Sequence, residues 1–307
     1  MQKLTKETFN TVSQFLKENA RELEKYLFEY YFYGGSSSNI IAELKKYQND
    51  DGGFGHGLEA DIRQPLSSPI VTSVGVRLLS EFDDEKEAKE TIKSAIVYFE
   101  STFNEQRKGW FALTNEVNNY PHAPWWHYDE EEGMTIIDKN WGNPSAEILA
   151  YLYKYRQFAS KLDIDYLVEF AVQYIENKEQ FASEHELFCY LKLFEVLPEE
   201  LKNRLSKRIA IGISQVIEYD KGKWHEYVPK PLDFVPSPEK YMFGVEEAKI
   251  AENLDFYIEL LESKGLIIPP WGDIFYQGDF QPAYNEWKGV LTLKVLKSLD
   301  DYGRIAK

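Results

Sequence analysis

The densest polar run in the chain is His56-Gly57-Leu58-Glu59-Ala60-Asp61-Ile62-Arg63-Gln64-Pro65. Glu59, Asp61 and Arg63 alternate, so an extended backbone would direct all three to one side. A proton shared between Glu59 and Asp61 would raise the pKa of one of them, giving an acid and a base from a single pair. Arg63 would oppose that by stabilising both anions. The competing reading is a loop anchor in which Arg63 pins the turn. A second run is Trp125-Trp126-His127-Tyr128-Asp129, followed by Glu130, Glu131 and Glu132. Four consecutive acids fit a solvated turn, with Asp129 the member nearest the aromatics. The Trp126-His127 pair returns as Trp224-His225 beside Glu226 and Tyr227. The same mixture recurs in Trp271-Gly272-Asp273 with Phe275 and Tyr276.

Aromatic platforms interleaved with carboxylates suit two kinds of substrate. A sugar chain stacks its apolar faces on Trp and Tyr while a paired acid and base cleave a glycosidic bond. An isoprenoid carbocation is sheltered by ring faces, with a carboxylic acid moving the proton. The catalytic candidates are therefore Glu59, Asp61, Asp129, Glu226 and Asp273. The substrate contacts expected around them are His56, Arg63, Trp126, His127, Trp224, His225, Trp271 and Tyr276. A zinc site built from His56, His127 and His225 is a third reading, although no short ligand spacing supports it. His185 precedes Cys189 by one helical turn on the same face, which supplies two ligands and no third; packing is the simpler account. No metal and no cofactor are expected. The glycine-rich stretch 51–57 follows a helix instead of a strand and lacks the lysine of a phosphate-binding loop. There is no Gly-x-Ser-x-Gly elbow.

These residues need helices to position them. Apolar residues recur with a period of 3.6 along most of the chain, and no strand ladder competes. One long first helix carries Phe9, Val12, Leu16, Leu23, Leu27 and Tyr30, ended by Gly34-Gly35. A short second helix is capped near Ser37 or Ser38. Ser68-Pro69 opens a third, with Gly75 allowing a close neighbour, and Asn143-Pro144 opens another. Further helices are expected at 162–176, 183–195, 199–218 and 250–261, one opened by Ser237-Pro238, and a last from Trp287 to Leu299, ten or eleven in all. If the helices alternate between an inner and an outer ring, the inner-to-outer links are short. The outer-to-inner links, 49–68, 104–142, 219–236 and 263–284, are long and occupy nearly a third of the chain. They would emerge at one rim and carry six of the seven tryptophans. The prolines at 229, 231, 236 and 238 and the pair Pro269-Pro270 stiffen two of these loops.

The segment Leu44-Lys45-Lys46-Tyr47-Gln48-Asn49-Asp50-Asp51-Gly52-Gly53-Phe54-Gly55 resembles the helix-end repeat of the protein prenyltransferase beta subunits and the squalene and terpenoid cyclases. That repeat is an apolar helix, a Gln, a few residues, then Gly, any residue and an aromatic, matched here by Gln48, Gly52 and Phe54. Weaker echoes stand at Gln106–Trp110 and Gly222-Lys223-Trp224. The resemblance implies an all-α, (α/α)6-type toroid of antiparallel helices, one domain over 1–307, with a deep central cavity opening at the loop rim. In such a repeat Gln48 would bond carbonyls at a helix end, Gly52 and Gly53 would permit left-handed turns, and Phe54 would fold back on a neighbouring helix. The family's chemistry is less well matched. The Asp-x-Asp-Asp acid motif is missing, and the nearest string is Asp163-Ile164-Asp165-Tyr166. The prenyltransferase zinc ligands have no evident counterpart either.

The chain has 307 residues, 35 Lys plus Arg against 51 Asp plus Glu, and a formal charge of −16. That field repels phosphate backbones and anionic membranes, so neither nucleic acid nor membrane is an expected partner. One cysteine excludes an internal disulfide and four-cysteine metal sites. With no apolar signal segment, the expected compartment is the cytoplasm. The expected function is an acid/base enzyme with a small organic molecule or glycan in an aromatic-lined central cavity. The alternatives are a prenyltransferase- or cyclase-like enzyme acting on an isoprenoid, and a non-catalytic ligand-binding or scaffold protein; any protein partner is left open.

Overall fold

The computed structural model describes residues 1–306. They form twelve α-helices, several single 3-10 turns and one two-residue hairpin, β1 (Tyr128–Asp129) against β2 (Met134–Thr135). No described helix is long and apolar enough to cross a membrane. The chain divides into two compact units, residues 41–215 and the pair of segments 1–40 and 216–307. The helix α3 (Ser37–Leu44) carries the boundary between them.

The unit of residues 41–215 contains α4 (Pro69–Leu79), α5 (Lys86–Ser101), α6 (Gly142–Lys154), α7 (Ile164–Glu176), α8 (Glu184–Val196) and most of α9 (Glu199–Val216). Its centre is α6, which packs on α4, α5, α7 and most extensively on α8. Every residue from Gly142 to Leu152 is buried. Small residues permit this closeness, because a Cβ on Gly142 would sit 2.7 Å from the side chains of Glu186 and Tyr190 on α8. Two of the three helix starts read from proline are present. The Ser68 hydroxyl accepts from the Val71 N–H at 3.4 Å with Pro69 in the first turn of α4, and Pro144 follows Asn143, whose backbone is not yet helical. Ser36 lies one residue upstream of the cap expected for α3, its hydroxyl accepting from the Ser38 N–H.

The segment 48–54 shows how sequence becomes packing. The Gln48 amide donates to the carbonyls of Gly52, 2.9 Å, and of Thr91 on α5, 3.1 Å. Gly52 has φ +88°, and a Cβ there would strike the Ser94 carbonyl at 2.4 Å. Phe54 is fully buried against Gly75 of α4, whose missing side chain leaves room for the ring. Gly53 takes no left-handed φ; its hydrogen instead makes room for Ser67 and Tyr98.

In the other unit, α1 (Lys6–Asn19), α2 (Glu22–Tyr33) and α12 (Gln281–Asp301) pack together, and α11 (Glu247–Lys264) packs on α1 and on α10 (Pro231–Phe234). The single long first helix expected from periodicity is two helices. Ala20 and Arg21 are extended, and the Arg21 guanidinium grips Glu24 at 2.7–2.8 Å, fixing the start of α2. The helix expected from Ser237-Pro238 is displaced to Pro231–Phe234, where Asp233 accepts the Lys230 N–H at 3.0 Å. Residues 238–245 are turns. Leu4 bridges to Ile305, its N–H on the Arg304 carbonyl and its carbonyl accepting the Ala306 N–H.

Phe54→Ala would remove a fully buried ring wedged on Gly75, at an expected cost of about 3–5 kcal/mol. Urea denaturation is the measurement; a loss below about 1 kcal/mol would mean that the ring is not structural.

Candidate functional site

The residues singled out from sequence divide by what holds them. In the 55–68 loop, the Ile62 N–H donates to the Glu59 carbonyl, so the stretch turns instead of extending. Glu59 is half-buried while Asp61 is buried, and the alternation that would have put both on one side is absent. Backbone bonds from Arg63 to Pro121 and from Ala123 to Asp61 join this loop to residues 121–123. The Arg63 guanidinium lies over Gly57, a placement suited to pinning the turn. His56, with φ +56°, is exposed and pairs with Asn49 at 2.8 Å. His127 is exposed and stacks on His122, ring nitrogens 3.2 Å apart.

Asp129 is exposed and accepts the N–H groups of Glu131 and Glu132 at 2.8 and 3.0 Å. Those two donors, Glu132 first, hold its carboxyl below the usual range. Trp126 is 8% exposed, with an indole N–H that meets no hydrogen-bond acceptor among the described residues. In the unit of 1–40 and 216–307, Trp224 is buried edge-on to Phe256, its N–H on the Glu218 carbonyl, and His225 meets the same ring. Glu226 is exposed, its carbonyl taking the Lys230 ammonium at 3.3 Å. Trp271 donates to the Tyr276 hydroxyl at 2.7 Å, and Asp273 is exposed. Trp110 and Trp141 are buried too, each N–H on a backbone carbonyl. Most loop tryptophans therefore pack into the helices. No group of three or more His, Cys, Asp or Glu among the described residues is arranged to hold a metal.

A tighter constellation lies on α4, α6 and α8, centred on Arg77, Glu147 and Tyr151, which sequence reasoning missed. Arg77 of α4 donates Nε and Nη2 to the two oxygens of Glu147 on α6, at 2.7 and 2.8 Å. The Tyr151 hydroxyl donates to Glu147 Oε1 at 2.5 Å. The Cys189 thiol of α8 lies 3.9 Å from Glu147 Oε2 and 3.7 Å from Asn143 Oδ1. Burial pushes the Glu147 carboxyl up, but the Arg77 charge and hydrogen bonds, aided by Tyr151, outweigh it and hold the group below its usual range. Burial, then the Glu147 charge, drives the Tyr151 phenol and the Cys189 thiol well above theirs, so both stay protonated. The Glu147 side chain is 3% exposed and that of Arg77 is 43%. Burial pushes the Arg77 pKa down, but the Glu147 charge and hydrogen bond outweigh it and keep the guanidinium charged. Lys192 on α8 adds positive charge felt by Glu147.

Beside it, Glu186 of α8 is fully buried, accepts the Gly142 N–H at 2.9 Å and pairs with Lys178 at 2.6 Å. That bond anchors the start of α6 and so aims Glu147. Only one signal was available in the sequence: Arg77 and Glu147 are charges on otherwise apolar helix faces. Against protein-family models, curated proteins and solved structures, the chain has no match.

Glu147→Gln would leave the Arg77 charge without its anion. The expected cost is about 2–3 kcal/mol, below the ~3–5 of a fully enclosed pair because Arg77 keeps access to solvent. The folded Glu147 pKa is lowered, so its contribution is complete above the unfolded value near ~4.3 and falls away as pH drops below it. Denaturation midpoints between pH 6 and pH 3 should show a shallower acid loss in an Arg77→Leu/Glu147→Leu double variant; equal slopes would refute the assignment.

Proposed function

We propose that this protein recognises a small organic molecule on the face shared by α4, α6 and α8, with Arg77 as its polar anchor. The observation that carries the reading is the pairing of a partly exposed arginine side chain with a carboxylate removed from solvent. A purely structural ion pair has no need of an accessible donor edge, whereas a recognition site requires one. The surrounding wall is preorganised: Glu147 fixes the guanidinium, Tyr151 fixes Glu147, and Glu186 fixes the start of α6. We place this face inside the ring of an (α/α)6 toroid related to the prenyltransferases and terpenoid cyclases. The motif Gln48, Gly52 and Phe54 supports that relation: Gln48 ties the turn to α5, Gly52 takes a left-handed φ against Ser94, and Phe54 folds back on Gly75 of α4.

Recognition fits this face better than acid/base catalysis. Glu147 is held ionised with its oxygens occupied, and Tyr151 and Cys189 are held protonated, so no group is poised to exchange a proton near neutrality. The glycan-cleaving reading would need the carboxylates of the loops to converge. Asp129 supports it least, being committed to its own turn.

A thermal-shift screen of organic acids, phosphate esters, oligosaccharides and prenyl compounds tests the reading. A ligand of this site should stabilise the wild type and a Glu59→Gln/Asp61→Asn variant alike, and should lose at least tenfold in affinity on Arg77→Lys. Loss on the loop variant with retention on Arg77→Lys would move the site to the 55–68 loop.

A further inference from the structure

We infer that the group recognised at Arg77 is an oxyanion, a carboxylate or a phosphate on the ligand, gripped by the outer edge of the guanidinium. The inference rests on the site reading above and specifies its chemistry.

A guanidinium has two edges that can each form paired hydrogen bonds, one made by Nε with an Nη and the other by the two Nη atoms. Glu147 occupies the first, through Nε and Nη2. Glu147 takes neither Nη1 nor the remaining N–H of Nη2, and the Tyr151 hydroxyl stands at the same guanidinium. Its planar fork matches the oxygen spacing of a carboxylate or phosphate. A hydroxyl-rich ligand such as a sugar would be served best by donors and acceptors together. Here the acceptors are withdrawn, since Glu147 is 3% exposed and spends its oxygens on Arg77 and Tyr151. Lys192 reinforces the sign of the site, standing 37% exposed with Glu195 3.9 Å away.

Two features set the limits of binding. The chain's charge of −16 repels anions at long range, so the attraction is local and falls with added salt. Glu147 cancels much of the Arg77 charge, so geometry outweighs net charge. A lysine would retain the cation and lose the fork.

Isothermal titration at low ionic strength with inorganic phosphate and with succinate, and with methyl glucoside as a neutral control, decides the question. Saturable binding of phosphate or succinate, weakened at least tenfold by Arg77→Lys and again by Arg77→Leu/Glu147→Leu, is the expected result. Whichever probe binds tighter identifies the source of the oxyanion. Circular dichroism and the urea midpoint confirm that the variants are folded, and side-chain 15N shifts of Arg77 in the wild type report contact without any substitution. Absence of binding by both anions, binding that Arg77→Lys leaves unchanged, or unmoved Arg77 shifts at saturation would overturn the inference. A neutral ligand from the screen that still depends on Arg77 would leave the site reading standing while this one falls.

Discussion

A carboxylate taken out of water must be neutralised and given hydrogen bonds, or it abandons its charge. Glu147 meets that demand on a helix buried along almost its whole length, and the demand constrains three elements at once. Arg77 has to lie on α4 at a height that brings both of its nitrogens to Glu147. Tyr151 has to follow one turn along α6. Meanwhile α8 must approach closely enough for Cys189 to reach the same oxygens, an approach that the bare backbone of Gly142 permits.

The long loops obey a similar economy of polar groups. Asp138 accepts from the Ala112 N–H and from both the N–H and hydroxyl of Thr135, tying the hairpin to the segment after Trp110. Burial raises its pKa despite those donors. Arg107 adds bonds to the carbonyls of Trp110 and Asp138. A connection this long stays ordered because its tryptophans enter the helix packing and its acids hold turns. Aromatic abundance in such loops is thus a sign of anchoring as readily as of ligand stacking.

Some local signals are legible in the sequence. Ser68-Pro69 opens α4, Gly52 takes the left-handed turn and Phe54 folds back on Gly75, whereas Gln48 bonds the Gly52 and Thr91 carbonyls instead of the end of its own helix. The break between α1 and α2 carries no glycine or proline, so an unbroken apolar stripe hid it; an arginine–glutamate grip at Arg21 and Glu24 makes the corner instead. Two prolines competed to open the helix near 231–238, and the one with an acid two residues later prevailed because Asp233 caps the turn. Arg77 and Glu147 lie 70 positions apart, and no periodicity within either helix reports a partner at that distance. Individual side-chain roles in the loops were equally hidden, because a turn spends its carboxylates on backbone groups that only the folded path brings near.

The unit made of 1–40 and 216–307 is discontinuous, with all of 41–215 intervening. During synthesis, α1 and α2 emerge well before α12, the helix they pack against. The continuous unit can order itself meanwhile, and in doing so it shortens the effective loop that the early helices must close. Loop closure grows only slowly with length, each doubling costing about 0.6 kcal/mol, so the delay is kinetic more than energetic. The first two helices are therefore an amphipathic pair whose apolar faces stay uncovered until α12 is made.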